Sequence, residues 1–232
     1  MKYRYSIIIP CYNEENTVFD VVDAICTKFS ESNVIVVDDG STDSSFNEII
    51  KVTHKNLYAL KHEENMGKGA AMRTGLQNIQ PSTDVVIFTD ADKEILIGDI
   101  TRVVNYYEKN DVKAVFGSRF LEMNFNKKFQ MGLHRYIANK ILTMLTNAIC
   151  RQKLTDMETA VKSFKSNIID NLNLKSNGFD IEPEIVKALS KERITIHEVP
   201  INYEPRTSSE GKKISFKDGV ITLGYILKKY WN

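Results

Sequence analysis

The chain has 232 residues, 42% hydrophobic and 26% charged, a balance that suits a folded α/β chain and excludes a disordered one. Its formal net charge of +1 gives no bulk attraction to nucleic acid, and no apolar run approaches the ~18 residues of a membrane span. Cys11, Cys26 and Cys150 have neither zinc-ligand nor disulfide-framework spacing, so a reducing cytoplasm is the expected compartment.

In chain order, an apolar run predicts a first strand at Tyr5–Ile9, followed by a helix near Glu14–Phe29. A second strand is expected at Val34–Val37 with a helix at Ser44–Thr53, and a weaker strand at Asn56–Leu60 with a helix at Gly69–Ile79. Val85–Phe88 and Ala114–Phe116 read as further strands, separated by a helix at Asp99–Lys109. Continuous apolar strands are buried on both faces, so this repetition predicts an α/β fold: a doubly wound, mostly parallel sheet with helices on both faces. The later chain is less regular. It suggests a helix at Leu133–Ile149, a strand at Val161–Phe164, a helix at Glu184–Ser190 and a strand at Ile194–Val199. No Pro/Gly/Ser-rich linker divides the sequence, so one domain over residues 1–232 is expected, with a first half to about residue 120, a second to about 213, and a last segment after it.

Polar clusters follow three predicted strands: Pro10 to Glu14, Asp38 to Asp43, and Asp90-Ala91-Asp92. Open α/β sheets bind ligands at these strand ends. Two carboxylates one residue apart repel and raise each other's pKa unless a cation joins them, and a hard divalent ion bridged to phosphate resolves that. Glu94 offers a third oxygen. A solvated turn capping the next helix would use the same residues. In Asp38-Asp39-Gly40-Ser41-Thr42-Asp43, helix capping and a tight turn explain Gly40, Thr42 and Asp43, and a nucleotide contact suits Asp39. Gly67-Lys68-Gly69 opens a helix, where glycines admit close approach and free N–H groups suit anions. There is no Walker A loop and no Gly-x-Gly-x-x-Gly after the first strand, which counts against an ATPase or a dinucleotide dehydrogenase. His54, His62, His134 and His197 lack ligand spacing.

In order, Ile7-Ile8-Ile9-Pro10-Cys11-Tyr12-Asn13-Glu14-Glu15, Val36-Val37-Asp38-Asp39-Gly40-Ser41-Thr42-Asp43, Asn65-Met66-Gly67-Lys68-Gly69, Asp90-Ala91-Asp92 and Gly117-Ser118-Arg119-Phe120 resemble family 2 inverting glycosyltransferases of the GT-A fold, the nucleotide-diphospho-sugar transferase fold. Within that family the chain is similar to the polyprenyl- or dolichyl-phosphate mannosyl- and glucosyltransferases. The likeness continues in Leu154 to Thr159, Phe179 to Glu184 and Arg206 to Ile214. Lys93 departs from the pattern, where Leu is usual, and so do Ala160 and Val161.

The resemblance implies a nucleotide-diphosphate sugar (UDP- or GDP-sugar) bound by Pro10, Tyr12, Glu14, Asp39, Lys68, Asp90 and Ala91. It implies Mg2+ or Mn2+ at Asp90, Asp92 and Glu94, and a lipid phosphate acceptor among Arg119, Arg135, Asn139, Arg206 and Lys212. Asp92, Arg119 and Asp156 form the implied catalytic set. A lipid phosphate is already anionic and needs no general base, whereas a glycan hydroxyl acceptor would need one, with Asp156 the candidate. A nucleotide-sugar-binding protein without turnover is the third reading. The segment Ile214–Trp231 is compatible both with an interfacial helix on an anionic membrane and with a terminal helix packed on the domain. The expected location is the cytoplasm, peripheral at the cytoplasmic face of a membrane, on its surface or through a membrane partner, with no nucleic-acid partner.

Overall fold

The computed structural model describes residues 1–123, 131–204 and 216–228. Its elements run β1 (Tyr5–Cys11), α1 (Val18–Lys28), β2 (Asn33–Asp38), α2 (Ser45–Lys51), β3 (Leu57–Lys61), α3 (Lys68–Gln77), β4 (Val85–Phe88), α4 (Ile97–Lys109) and β5 (Ala114–Ser118). They continue with α5 (Leu133–Cys150), β6 (Lys162–Lys165), a 3-10 turn leading into α6 (Ile169–Leu172), α7 (Ile181–Lys191), β7 (Ile196–Pro200) and α8 (Phe216–Lys228). The seven strands form one sheet in the order β3-β2-β1-β4-β6-β5-β7. All neighbours are parallel except β6, which runs antiparallel to both β4 and β5.

Successive residues of a strand face opposite sides of its sheet, and both sides are covered here. Ile7 and Ile9 join Val22, Ile25, Val36 and Val103 in a core under α1 and α4. Ile8 points the other way, joining Ala71, Met72, Val86, Phe88 and Ile185 under α3 and α7. This two-sided burial is why the strands read as unbroken apolar runs. Two expected helices start elsewhere. α1 begins at Val18, because residues 14–17 form a turn in which the Thr17 and Val18 N–H groups both donate to the Glu14 carbonyl. α7 begins at Ile181, ahead of Glu184, because Pro183 falls in the first turn, where its missing N–H costs no helix bond.

The chain leaves β1 toward β2 on one side and reaches β4 on the other. The strand order therefore reverses between β1 and β4, whose following helices both lie over the same face of the sheet. Open α/β sheets bind ligands in the crevice outside such adjacent strand ends. Side chains lock the loops after β1 and β2 together. Asn13 N–H donates to Ser41 Oγ (2.9 Å), Glu14 N–H to Ser45 Oγ (2.6 Å), and Thr42 N–H to Asn13 Oδ1 (2.8 Å). Asp43 takes the Ser45 N–H and hydroxyl on Oδ1, at the start of α2.

Candidate active site

The Asp90-Ala91-Asp92 turn leaves β4 inside this crevice. Thr17 ties it to the β1 loop, its hydroxyl lying 3.1 Å from both the Ala91 carbonyl and Glu14 Oε2. Glu94 N–H donates to Asp92 Oδ1 (3.0 Å), which curls the segment back on itself. Lys93, the departure from the family pattern, points outward and pairs with exposed Asp20 on α1. Pro10, Tyr12 and Glu14 stand half-buried on the β1 side.

Asp39 is buried, and its carboxylate organises the approach to α3. Oδ1 accepts from His62 Nδ1 (2.7 Å) and Met66 N–H (3.0 Å), and Oδ2 from Gly67 N–H (2.7 Å). Its neighbour Asp38 is fully buried and keeps Oδ1 without a partner. The start of α3 is also committed internally. Ala70 N–H donates to the Asn177 carbonyl (3.1 Å), and Arg73 reaches Ser176 and Asn177. The close approach that Gly67 and Gly69 permit is thus to residues 176–178: a Cβ at either would overlap the Asn177 or Ser176 carbonyl oxygen. Gly67 also holds φ 97° and ψ 157°, a conformation open essentially to glycine alone. Gly67→Ala is expected to cost about 1–3 kcal/mol of stability. A thermal melt checks this, and an unchanged midpoint would mean that the turn relaxes freely.

Lys68 reaches across the crevice. Its Nζ lies 2.9 Å from Asp90 Oδ1 and 3.0 Å from Glu182 Oε1. Burial opposes the charge on Lys68, but Asp90 and Glu182 outweigh it and hold the ammonium firmly protonated. The other oxygen of Glu182 pairs with Lys162, a fully buried lysine on β6 that also donates to the Thr159 carbonyl. Burial opposes the charge on Glu182 too, and Lys162 and then Lys68 hold its carboxyl below the usual range.

Beyond this row lies Arg119, at the end of β5. Its guanidinium grips Asp156 with two hydrogen bonds of 2.7 Å, and its own N–H adds a third at 3.0 Å. Asp156 is fully buried. Glu198 on β7 fixes the segment by accepting from the N–H groups of Thr155 (2.8 Å) and Asp156 (3.1 Å). Arg119 lies over the Tyr203 ring at 5.3 Å. Burial raises the Tyr203 phenol, Arg119 opposes the rise and Glu94 and Asp92 add to it; a β-bridge from Tyr203 to Ile95 ties this segment to the turn after β4.

Glu158 stands near both pairs with Oε1 buried and unpartnered. Burial pushes its carboxyl up to about 7; Glu182 adds to the rise, while Lys162 and Arg119 oppose it. The row holds four carboxyls (Asp90, Asp156, Glu158, Glu182) against three cations (Lys68, Lys162, Arg119), so Glu158 is the acid without its own counter-ion.

Arg135 and Asn139 sit half-buried near the start of α5. That helix docks through Tyr136, whose ring meets Phe120 edge-on at 5.3 Å, and through Lys140, which donates to the Thr155 carbonyl (3.0 Å). Arg206 and Lys212 lie outside the described residues. The sequence reading gave no role to Glu158, Lys162, Glu182 or Tyr203. Lys162 stands inside the expected strand Val161–Phe164, but only its buried partner Glu182 shows why an ammonium is held there.

The strand order, with one antiparallel strand among parallel ones and acidic strand ends, is that of the GT-A fold. The solved glucosyl-3-phosphoglycerate synthase of Mycobacterium tuberculosis with Mg2+ and uridine diphosphate shares the fold at a TM-score of 0.72 and 16% identity, covering 98% of this chain and 79% of that one. The family model for glycosyl transferase family 2 matches residues 6–172, and the chain belongs to that family. It is 29% identical to the UDP-N-acetylglucosamine–dolichyl-phosphate N-acetylglucosaminyltransferase of Methanococcus voltae, over 84% of this chain and 83% of that protein. It is 27% identical to the dolichyl-phosphate β-glucosyltransferase of Dictyostelium discoideum, over 90% and 68%. The chain is a glycosyltransferase.

Proposed function

We propose that the chain, working as one catalytic unit, transfers a hexose with inversion from a nucleoside-diphosphate sugar to a polyprenyl phosphate. The observation that carries the acceptor choice is the state of Asp156. Both its oxygens are held by Arg119 and it is shielded from water, so it is poorly placed to take a proton from a glycan hydroxyl. A phosphate acceptor requires no such step. The Methanococcus and Dictyostelium relatives carry dolichyl phosphate in their names, which supports the same reading.

The donor residues suit a divalent cation. Asp90 and Asp92 supply hard oxygens, and Asp90 already attracts an ammonium, so the position favours positive charge. Among the described residues, no three His, Cys, Asp or Glu form a closed cage, so this would be a cation shared with donor phosphates. Asp90 and Asp92 would hold Mg2+ or Mn2+ with Glu94 beside them, and the ion would offset charge on the departing diphosphate. Lys68 stands ready to add its charge to the same leaving group. Pro10, Tyr12 and Glu14 would line the nucleoside side, and Asp39 would act through the loop it fixes. Arg119, Arg135, Asn139, Arg206 and Lys212 would gather the acceptor phosphate, suited to it by guanidinium and ammonium geometry.

Among the described residues, no helix is long and apolar enough to cross a membrane. For a lipid acceptor we place the protein at the cytoplasmic face of a membrane, peripheral to it. The test incubates the protein with UDP- and GDP-sugars, Mn2+ and a short polyprenyl phosphate, and follows nucleoside diphosphate release. Release should require the lipid phosphate and stop with excess chelator. Release with glycan acceptors alone, or undiminished turnover in chelator, would overturn the reading.

A further inference from the structure

Lys68 occupies an unusual position. It is the cation on Asp90, and its second partner does not depend on it. Glu182 is already neutralised by Lys162, which is buried beside it. Asp90 differs: its side chain remains 31% exposed, while that of Lys68 is 16% exposed. The lysine stem leaves the first residue of α3, whose backbone is fixed by Asp39 and by residues 176–178, so only the side chain is able to swing. The ammonium thus rests against the carboxylate that a divalent ion would use. Two cations cannot share Asp90 at contact distance without strong mutual repulsion.

We propose that Lys68 is a resident counter-ion that keeps a divalent cation off Asp90 until a nucleoside diphosphate arrives and takes up the ammonium. This rests on the metal assignment above and adds an order to it. The empty protein would bind the ion weakly. A diphosphate supplies anionic oxygens to both Lys68 and the ion, so each ligand would favour the other by the same factor. Lys68 is therefore a positioning residue for metal entry as well as a donor contact. The arrangement would keep the carboxylate turn charge-balanced between turnovers, when no diphosphate is present.

The test measures Mn2+ binding by loss of the free-ion EPR signal, without activity as the readout. Wild-type protein should bind Mn2+ about tenfold or more tightly with UDP or GDP than alone. Lys68→Met, or Lys68→Gln if the first fails to fold, should bind Mn2+ alone about tenfold more tightly than wild type, with a smaller gain from nucleotide. Lys68→Arg should restore the exclusion. Equal Mn2+ affinity of wild type with and without nucleotide would overturn the proposal, whatever the variants do. So would unchanged Mn2+ affinity in both uncharged variants. Absence of Mn2+ binding under every condition, or full binding by Asp90→Asn, would instead remove the metal assignment and the proposal with it.

Discussion

Asp156→Ala is expected to lower the unfolding free energy by about 3–5 kcal/mol, because it strands a buried guanidinium. Arg119 gives Asp156 two side-chain hydrogen bonds and one from its backbone, in a place where the carboxylate has no contact with water. Burial opposes the charge on Arg119, and Asp156 is the group that reverses that opposition. Its other neighbours are the rings of Phe120 and Tyr203, at 5.4 and 5.3 Å, which attract a cation but do not neutralise it, and the Glu158 carboxyl, whose charge burial disfavours. Urea denaturation gives the number. Removing both charges, as in Arg119→Met with Asp156→Ala, should recover part of the loss, since replacing a whole buried pair is less damaging than breaking it. A loss under about 1 kcal/mol for Asp156→Ala would show that water screens the pair.

Glu158→Gln is expected to act in the opposite direction, and only above acid pH. Burial carries this carboxyl from its ordinary 4.5 to about 7 in the fold. Below pH 4.5 it is protonated in both folded and unfolded chains and costs nothing. As pH rises from there to 7, the unfolded chain gives up the proton while the folded chain keeps it, so stability is lost. Above 7 both forms are ionised and the deficit levels off at about 3 kcal/mol. Glutamine keeps the shape without the charge. The melting temperatures of Glu158→Gln and wild type should coincide near pH 4.5 and separate progressively to pH 7, with the variant higher. A separation that does not change with pH would exclude this origin.

These groups mark where sequence reading loses its grip. β1, β2 and β4 announce themselves because two-sided burial makes each an unbroken apolar run, and the acidic clusters after them fall at strand ends. The gathering of Glu14, Asp39, Lys68 and Asp90 at neighbouring strand ends was legible for that reason. Lys162 and Glu182 were not, because their charges make sense only as a pair brought together by α7 packing against β6. Nor does a four-residue strand such as β6 carry any sign of its direction. Gly67 and Gly69 were recognised as sites of close approach, but the approaching group is the 176–178 backbone, which no local pattern reveals. Asp39 shows the same limit: a strand-end carboxylate looks alike whether it receives a ligand or the protein's own N–H groups.

The placement of β6 has a consequence for the order of synthesis. β4 and β5 never pair with each other; β6 lies between them, running the opposite way. A ribosome that has released only the first half has delivered β1 to β5 but left β4 and β5 with open edges facing a gap. Such edges invite pairing with other chains. The sheet closes only when residues 162–165 emerge, and they bring Lys162 with them. The strand that completes the sheet thus also carries the buried cation that anchors Glu182, so an incomplete chain would hold the acidic turn after β4 without that support.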